Sequence, residues 1–139
     1  MGDKKTSTAS SKKHPFADLI GLSLETRDNG TCLSTLTISE KLTNPYNTVH
    51  GAVLYALADT GMGAALSRLL DSGEYCATIE IKITYFKPVT QGKLACESKV
   101  INKGKRIASL ESEIYNDEKL AAKAYGTFSI SQFRNPEQA

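Results

Sequence analysis

The chain has 139 residues, of which 40% are apolar, so it is long enough to form one domain with a packed core. Its net charge is +2, but residues 1–14 hold four lysines against one aspartate, which leaves the remainder close to neutral. A near-neutral globular part argues against a basic face for nucleic acid.

The three cysteines, Cys32, Cys76 and Cys96, are widely spaced and form no C-x-x-C pair. We therefore expect small, buried free thiols in a reducing cytosol, with no disulfide and no metal site. The long apolar segment, residues 52–66, contains one charge and is too short to span a bilayer. No apolar segment of a secretion signal lies near the N-terminus, so we expect a cytoplasmic protein that binds no membrane.

Composition predicts three regions along the chain. Residues 1–14 are polar and of low complexity, which predicts a disordered basic tail. Residues 15–131 would form the domain, and residues 132–139 would form a polar C-terminal tail.

The first part of the domain alternates short elements with turns. Residues 15–20 can make one helical turn. Residues 21–39 predict two strands around Asp28-Asn29-Gly30, because Asn-Gly supplies the positive φ angles of a tight hairpin. Residues 40–51 predict a loop, with Pro45 and several asparagines as breakers.

Residues 52–70 are the one long helical candidate, and they are apolar on nearly all sides, which is typical of a buried helix. The segment after it alternates with a period of two, which predicts a strand with one buried face, formed by Ala77, Ile79, Ile81, Ile83 and Tyr85. Three further strands follow, separated by short polar turns. This order predicts an α+β fold in which an antiparallel sheet wraps one long central helix.

Asp59 is the one carboxylate inside the apolar helix. Its neighbours at i±3 and i±4 are Tyr55, Ala56, Met62 and Gly63, none of which is cationic. A buried, unpaired carboxylate costs on the order of several kcal/mol, a large part of a small domain's stability. Either a distant residue satisfies Asp59, or it faces a cavity or an interface where it has a chemical task.

The predicted helix begins at His50-Gly51. Backbone N–H groups at a helix N-terminus lack partners inside the helix and can hold an oxyanion. Glycine allows close approach to a ligand, whereas a histidine at the position of His50 is, taken alone, more often a helix cap or a core histidine than a functional residue.

Gly51 and Asp59 are eight residues apart, about 12 Å along a helix. One carbonyl cannot be polarised at Gly51 and attacked from Asp59 of the same chain. An antiparallel second copy of the helix would bring the two together, so the spacing predicts a two-fold homodimer with composite sites.

The segment "NPYNTVHGAVLYALADTGMG", residues 44–63, resembles the N-x-x-G-x-x-H-G-G-x-x-x-x-L-x-D motif of PaaI-type (phenylacetate-degradation) hotdog-fold thioesterases. The order of elements agrees over roughly residues 15–130. The resemblance implies a hotdog fold, hydrolysis of a small, aryl or medium-chain acyl-CoA, no cofactor, and a homodimer that stacks into a dimer of dimers.

The resemblance also implies roles for individual residues. Asp59 would be the general base, or alternatively the nucleophile. The Gly51 N–H would polarise the thioester carbonyl, with Asn44 as a second donor. His50 would support the oxyanion or the leaving thiolate. Thr78 would help to place the attacking water, and by the helix spacing it would join Asp59 from the opposite subunit.

A second set of residues belongs to the turn after the predicted fourth strand. In the family this turn looks like a contact for CoA phosphates, which would assign that role to Lys103, Gly104, Lys105 and Arg106; lysines at a turn are also commonly just solvated. Two positions depart from the motif. Ala52 replaces a glycine at the helix entrance, and Asn47 replaces a glycine in the loop, a mild change because asparagine tolerates left-handed conformations.

Two other functions remain open on the same fold. One is a hydratase or dehydratase, although His50 and Asp59 have the thioesterase-like spacing. The other is a protein that binds acyl-CoA without turnover, against which Asp59 and Asn44 argue.

Overall fold

The computed structural model describes residues 14–134, so the predicted disorder of residues 1–13 and the last five residues of the predicted C-terminal tail lie outside the described residues. A short helix opens the described part, one long helix follows two strands, and four strands close it. The elements are α1 (Pro15–Ile20), β1 (Leu22–Arg27), β2 (Thr31–Thr37), a 3-10 turn (Glu40–Leu42), α2 (Gly51–Ser67), β3 (Glu74–Tyr85), β4 (Lys93–Lys103), β5 (Ile107–Asn116) and β6 (Lys119–Gln132).

The six strands form one antiparallel sheet in the order β1-β2-β4-β5-β6-β3. Helix α2 lies across one face of this sheet and contacts all six strands. The core between them contains Leu57, Met62, Leu66, Leu94 and Phe128. The predicted α+β fold, with one long helix on an antiparallel sheet, is confirmed.

Buried serines let the helix approach the sheet closely. A Cβ added at Gly61 would lie 2.6 Å from Ser98 Oγ and 3.1 Å from Ser34 Oγ, so no larger side chain fits there without movement. Ser34 Oγ donates a hydrogen bond to the Leu57 carbonyl of α2, and the Ser98 and Ser112 hydroxyls share one of 2.7 Å. These contacts fix the height of the middle of α2 above the sheet.

Three sequence-based predictions need correction. Only Gly30 of the first hairpin has a positive φ, +77°, as in a three-residue turn that ends in a left-handed glycine. The long helix ends at Ser67, because the Leu69 and Leu70 N–H groups already bond three residues back. The helix is also not buried on all sides: Ala52 and Tyr55 are exposed and Asp59 is half-buried.

The third strand is the sheet's outer strand beside β6, and it contains a bulge. The register with β6 shifts between Thr78 and Glu80, which leaves Ile79 as the extra residue, 54% exposed. A bulge reverses the alternation of faces. Cys76 and Thr78 therefore face the helix together with Ile81, so the prediction that Ala77 and Ile79 share that face is wrong.

No helix among residues 14–134 is long and apolar enough to cross a bilayer.

Candidate active site

The carboxylate of Asp59 is held by a threonine of the neighbouring strand. Thr78 Oγ1 donates a hydrogen bond of 2.6 Å to Asp59 Oδ1. Within residues 14–134, Asp59 has no ion pair with a lysine, arginine or histidine. Its second oxygen, Oδ2, takes part in no hydrogen bond of the described residues and can accept a proton from a water or ligand.

This hydrogen bond corrects the prediction that the opposite subunit supplies Thr78 to Asp59. The two residues belong to the same chain, whereas the helix spacing had suggested that Thr78 comes from the opposite subunit. The bulge at Ile79 explains the difference, because it turns the Thr78 side chain from the predicted polar face of β3 towards α2.

Asp59 and Thr78 open onto a groove of about 1130 Å³ along the uncovered face of α2. One wall comes from α1 and β1, with Phe16 and Leu24, and the other from the start of β3, with Cys76. Tyr55 lines the same groove. The groove thus combines apolar side chains with polar ones, among them Asp18 and Arg68, and the Asp59 carboxylate opens onto it, as expected for a site that takes an apolar group beside a base.

His50 is the N-cap residue of α2, as one of its two sequence interpretations predicted. Its Nδ1 accepts a hydrogen bond of 3.0 Å from the Ala52 N–H. An accepting Nδ1 places the ring proton of a neutral imidazole on Nε2. His50 is exposed, so Nε2–H is available to a ligand at the helix N-terminus.

The Gly51 N–H donates no hydrogen bond to any described residue, so the first helical position offers one free backbone donor. Glycine fits there with the least strain, because an added Cβ would lie 3.1 Å from Tyr85 Oη and 3.2 Å from Tyr85 Cζ. A second pocket of about 280 Å³ begins at Gly51 and continues between Leu54 and Phe86.

Asn44 organises the loop that leads to the helix. Its Oδ1 accepts from the N–H groups of Tyr46 and Thr48, and its Nδ2 donates 2.7 Å to Thr48 Oγ1. Asn47 has φ +61°, so the left-handed conformation expected for that position is present. In this structure the side chain of Asn44 mainly stabilises the loop. One amide hydrogen of its Nδ2 remains able to donate to a ligand.

The structure separates the predicted residues into distinct groups. Asp59 and Thr78 meet in the middle of α2, whereas Asn44, His50 and Gly51 lie at its beginning, about 12 Å away along the axis. Lys103, Lys105 and Arg106 lie exposed around the half-buried Gly104 at the turn between β4 and β5. No described contact joins these cations to Asp59 or to Gly51.

Tyr85 is a site residue that the sequence reasoning missed. Its hydroxyl donates a hydrogen bond of 2.7 Å to the Gly51 carbonyl oxygen. Burial, and then the nearby Tyr55, raise the pKa of Tyr85, so the phenol stays protonated and remains a donor at neutral pH. The alternating pattern of β3 placed Tyr85 on the inner face but gave no sign of the residue it would meet there.

Comparison with known proteins now adds to this geometry. Residues 46–122 match the family model of the thioesterase superfamily. A candidate esterase of Saccharolobus solfataricus is 31% identical over 91% of this chain and 84% of that protein.

Two solved structures are similar over most of their length. A Bacillus halodurans protein solved with CoA is 28% identical, with a TM-score of 0.81 over 90% of this chain and 83% of that one. The Escherichia coli PaaI protein of the phenylacetic acid degradation operon is 22% identical, with a TM-score of 0.78 over 88% of this chain and 87% of that one. The second likeness establishes the fold, and with it the predicted hotdog architecture is confirmed.

Proposed function

Because the chain belongs to the thioesterase superfamily and is a thioester hydrolase, we propose that it hydrolyses a small, aryl or medium-chain acyl-CoA to the free acid and CoA. The observation that carries the proposal is the Asp59–Thr78 pair, a carboxylate held by a hydrogen bond of 2.6 Å and open to a groove that apolar side chains partly line. The Bacillus halodurans structure, which contains CoA, supports CoA as the carrier of the acyl group.

The proposed chemistry uses a base and an oxyanion donor. Asp59 accepts a proton from a water, and the oxygen of that water forms a bond to the thioester carbonyl carbon. The Gly51 N–H stabilises the negative charge that develops on the carbonyl oxygen. The C–S bond then breaks, and the thiolate takes up the proton, leaving a carboxylic acid and the CoA thiol. No metal and no cofactor beyond the CoA of the substrate enters these steps.

Thr78 has a positioning role in this scheme. Its donated hydrogen bond fixes the Asp59 carboxylate, and the lone pairs of Thr78 Oγ1 can accept a hydrogen from the same water. His50 would serve the leaving thiolate through Nε2–H, since its Nδ1 is committed to the helix. Lys103, Lys105 and Arg106 would bind CoA phosphates, with Gly104 allowing the turn.

A two-fold homodimer would complete each site. Asp59 and Gly51 of one chain are too far apart to act on one carbonyl. In an antiparallel pair of helices, Asp59 of one chain would lie beside Gly51 of the other. Two features support this assembly. Strand β3 is a 12-residue outer strand with a free edge, and two tyrosines are exposed, Tyr55 on the groove face of α2 and Tyr85 at the end of β3. A free edge of this length is a ready pairing surface.

A thiol-release assay tests the proposal. Purified protein is given a panel of short, medium, long and aromatic acyl-CoAs, beside the variants Asp59→Asn and Asp71→Asn. Asp71 is the matched control, an exposed carboxylate after α2 and outside the groove. We expect turnover of at least one thioester, a loss of about 10²–10⁴-fold in Asp59→Asn, and no change in Asp71→Asn. Binding of acyl-CoA without any turnover would instead favour a non-catalytic binding protein.

A further inference from the structure

The peptide group between Gly51 and Ala52 is held at both of its polar ends. Its carbonyl oxygen accepts the Tyr85 hydroxyl at 2.7 Å, and its N–H donates to His50 Nδ1 at 3.0 Å. One of these contacts comes from the end of β3 and the other from the residue just before the helix. The first peptide group of α2 is thus fixed to the sheet and to the preceding loop.

The next N–H group towards the N-terminus is the free donor. The Gly51 N–H has no partner among residues 14–134, and glycine is the residue with the greatest backbone freedom. A free donor on a flexible residue would have to be ordered during each reaction, which lowers the rate. The two hydrogen bonds remove this freedom, since they fix the torsion angles that follow the Gly51 nitrogen.

The same contact leaves little room for a side chain at residue 51. A Cβ would lie 3.1–3.5 Å from three atoms of the Tyr85 ring and hydroxyl. The close approach needs glycine, and the hydroxyl of Tyr85 restores the rigidity that glycine lacks.

We infer that Tyr85 is a positioning residue of the oxyanion site, whose hydroxyl orients the Gly51 N–H towards the thioester carbonyl oxygen. This inference rests on the proposed function. It assigns Tyr85 no contact with substrate and no proton transfer, and it predicts an effect on the rate of the chemical step rather than on substrate binding.

The kinetic test compares Tyr85→Phe with Tyr75→Phe. Tyr75 lies on the same strand, stacks on Phe133 at a centroid distance of 4.7 Å and is 41% exposed, so it controls for loss of a tyrosine hydroxyl from β3. We expect Tyr85→Phe to lower kcat about tenfold, because small misplacement of a catalytic group has effects of this order or larger. KM should change by less than about twofold, and Tyr75→Phe should match the wild type.

A second background separates positioning from a general structural role. Gly51→Pro removes the N–H through which Tyr85 is inferred to act, so adding Tyr85→Phe to it should change kcat by less than about twofold. Losses that multiply in the double variant would overturn the inference. So would a Tyr85→Phe variant with normal kcat, or one whose only change is a raised KM.

The outcomes also distinguish this inference from the proposed function. If Asp59→Asn is inactive and Tyr85→Phe is not impaired, the thioesterase proposal stands and the role of Tyr85 is wrong. If the wild type hydrolyses no thioester in the panel, the proposed function fails and the role of Tyr85 fails with it.

Discussion

Residue 51 combines two properties, the absence of a Cβ and an unpaired backbone N–H. The absence of Cβ admits Tyr85, and the N–H has no partner among the described residues. The backbone there would also accept proline. Proline is favoured at the first helical position, and His50, at φ −60° and ψ 133°, has the conformation that a residue before proline adopts.

Gly51→Pro and Gly51→Ala therefore form a matched pair. Both introduce a Cβ beside Tyr85, but only proline removes the N–H. We expect kcat of Gly51→Pro to be about 10²–10³-fold below that of Gly51→Ala, the loss seen when one oxyanion donor is removed. Equal kcat values in steady-state thiol release would show that the Gly51 N–H is not the donor.

The three cysteines differ in burial, although nothing in the sequence distinguished them. Burial, then Cys96, raises the pKa of Cys32 to about 12, and burial raises the pKa of Cys96. Only Cys76, half-buried in the groove wall, is accessible. The expectation of buried thiols is thus confirmed for two of the three.

Native protein should therefore react with a thiol reagent at Cys76 first. Cys32 and Cys96 should react only on unfolding, because their thiolate forms are disfavoured in the fold. Since the folded pKa of Cys32 lies above its ordinary value, the folded state keeps its proton longer, and the free energy of unfolding should fall as pH rises above about 9. Mass spectrometry after timed alkylation gives the order, and Cys32→Ala should flatten the alkaline stability loss.

At the scale of elements, the seating of α2 on the sheet determines where Asp59 lies. Gly61, two residues after Asp59, rests on Ser98 and Ser34 with no room for a Cβ. A glycine in a helix interior costs about 1 kcal/mol relative to alanine, and the close approach of the sheet accounts for one at Gly61.

Gly61→Ala should lower the free energy of unfolding by about 1–3 kcal/mol, as overpacking of a core does, despite the better helix propensity of alanine. Ser98→Ala removes the 2.6 Å contact and leaves 3.1 Å and 3.4 Å contacts. The double variant should thus be more stable than the sum of the two single losses predicts, by denaturant unfolding. If the stability losses of the two single variants simply add in the double variant, the Ser98 hydroxyl is not the source of the strain in Gly61→Ala.

The bulge in β3 is the other element-scale feature that forms the site. If Ile79 were an ordinary paired residue rather than a bulge, strict alternation from Ile81 would place Ala77, not Thr78, on the face of α2. A one-residue irregularity has no signature in a period-two pattern. For this reason the alternation predicted that Thr78 faces outward, and the helix spacing predicted that Thr78 comes from another subunit.

At the scale of the whole molecule, a site shared between two chains predicts that two inactive variants complement each other. Asp59→Ala and Gly51→Pro should each be nearly inactive alone. Co-expressed or mixed after denaturation, they should recover about a quarter of wild-type activity, because each heterodimer then holds one site with both groups intact. If each site lay within a single chain, every chain would carry a defect and no activity would return.

To interpret the mixing experiment, the oligomeric state of the wild type and of both variants must be measured. Sedimentation of the wild type should give at least a dimer, and both variants should match it, since neither substitution touches the free edge of β3. A monomer with full activity would contradict the exchange of Gly51 and Asp59 between chains. Stacking of two dimers, which the family resemblance implies, stays a prediction.

The sequence by itself determined the order of the elements, the α+β class and two candidate positions of α2, Asp59 and Gly51. These depend on local periodicity, on a carboxylate without a local partner and on a glycine at a helix start, all of which are readable along the chain. Only the tertiary structure decided that Thr78 and Tyr85 of the same chain hold Asp59 and Gly51. The physical reason is that these contacts join residues 19 and 34 positions apart, and their geometry is set by a bulge and by the height of the helix above the sheet.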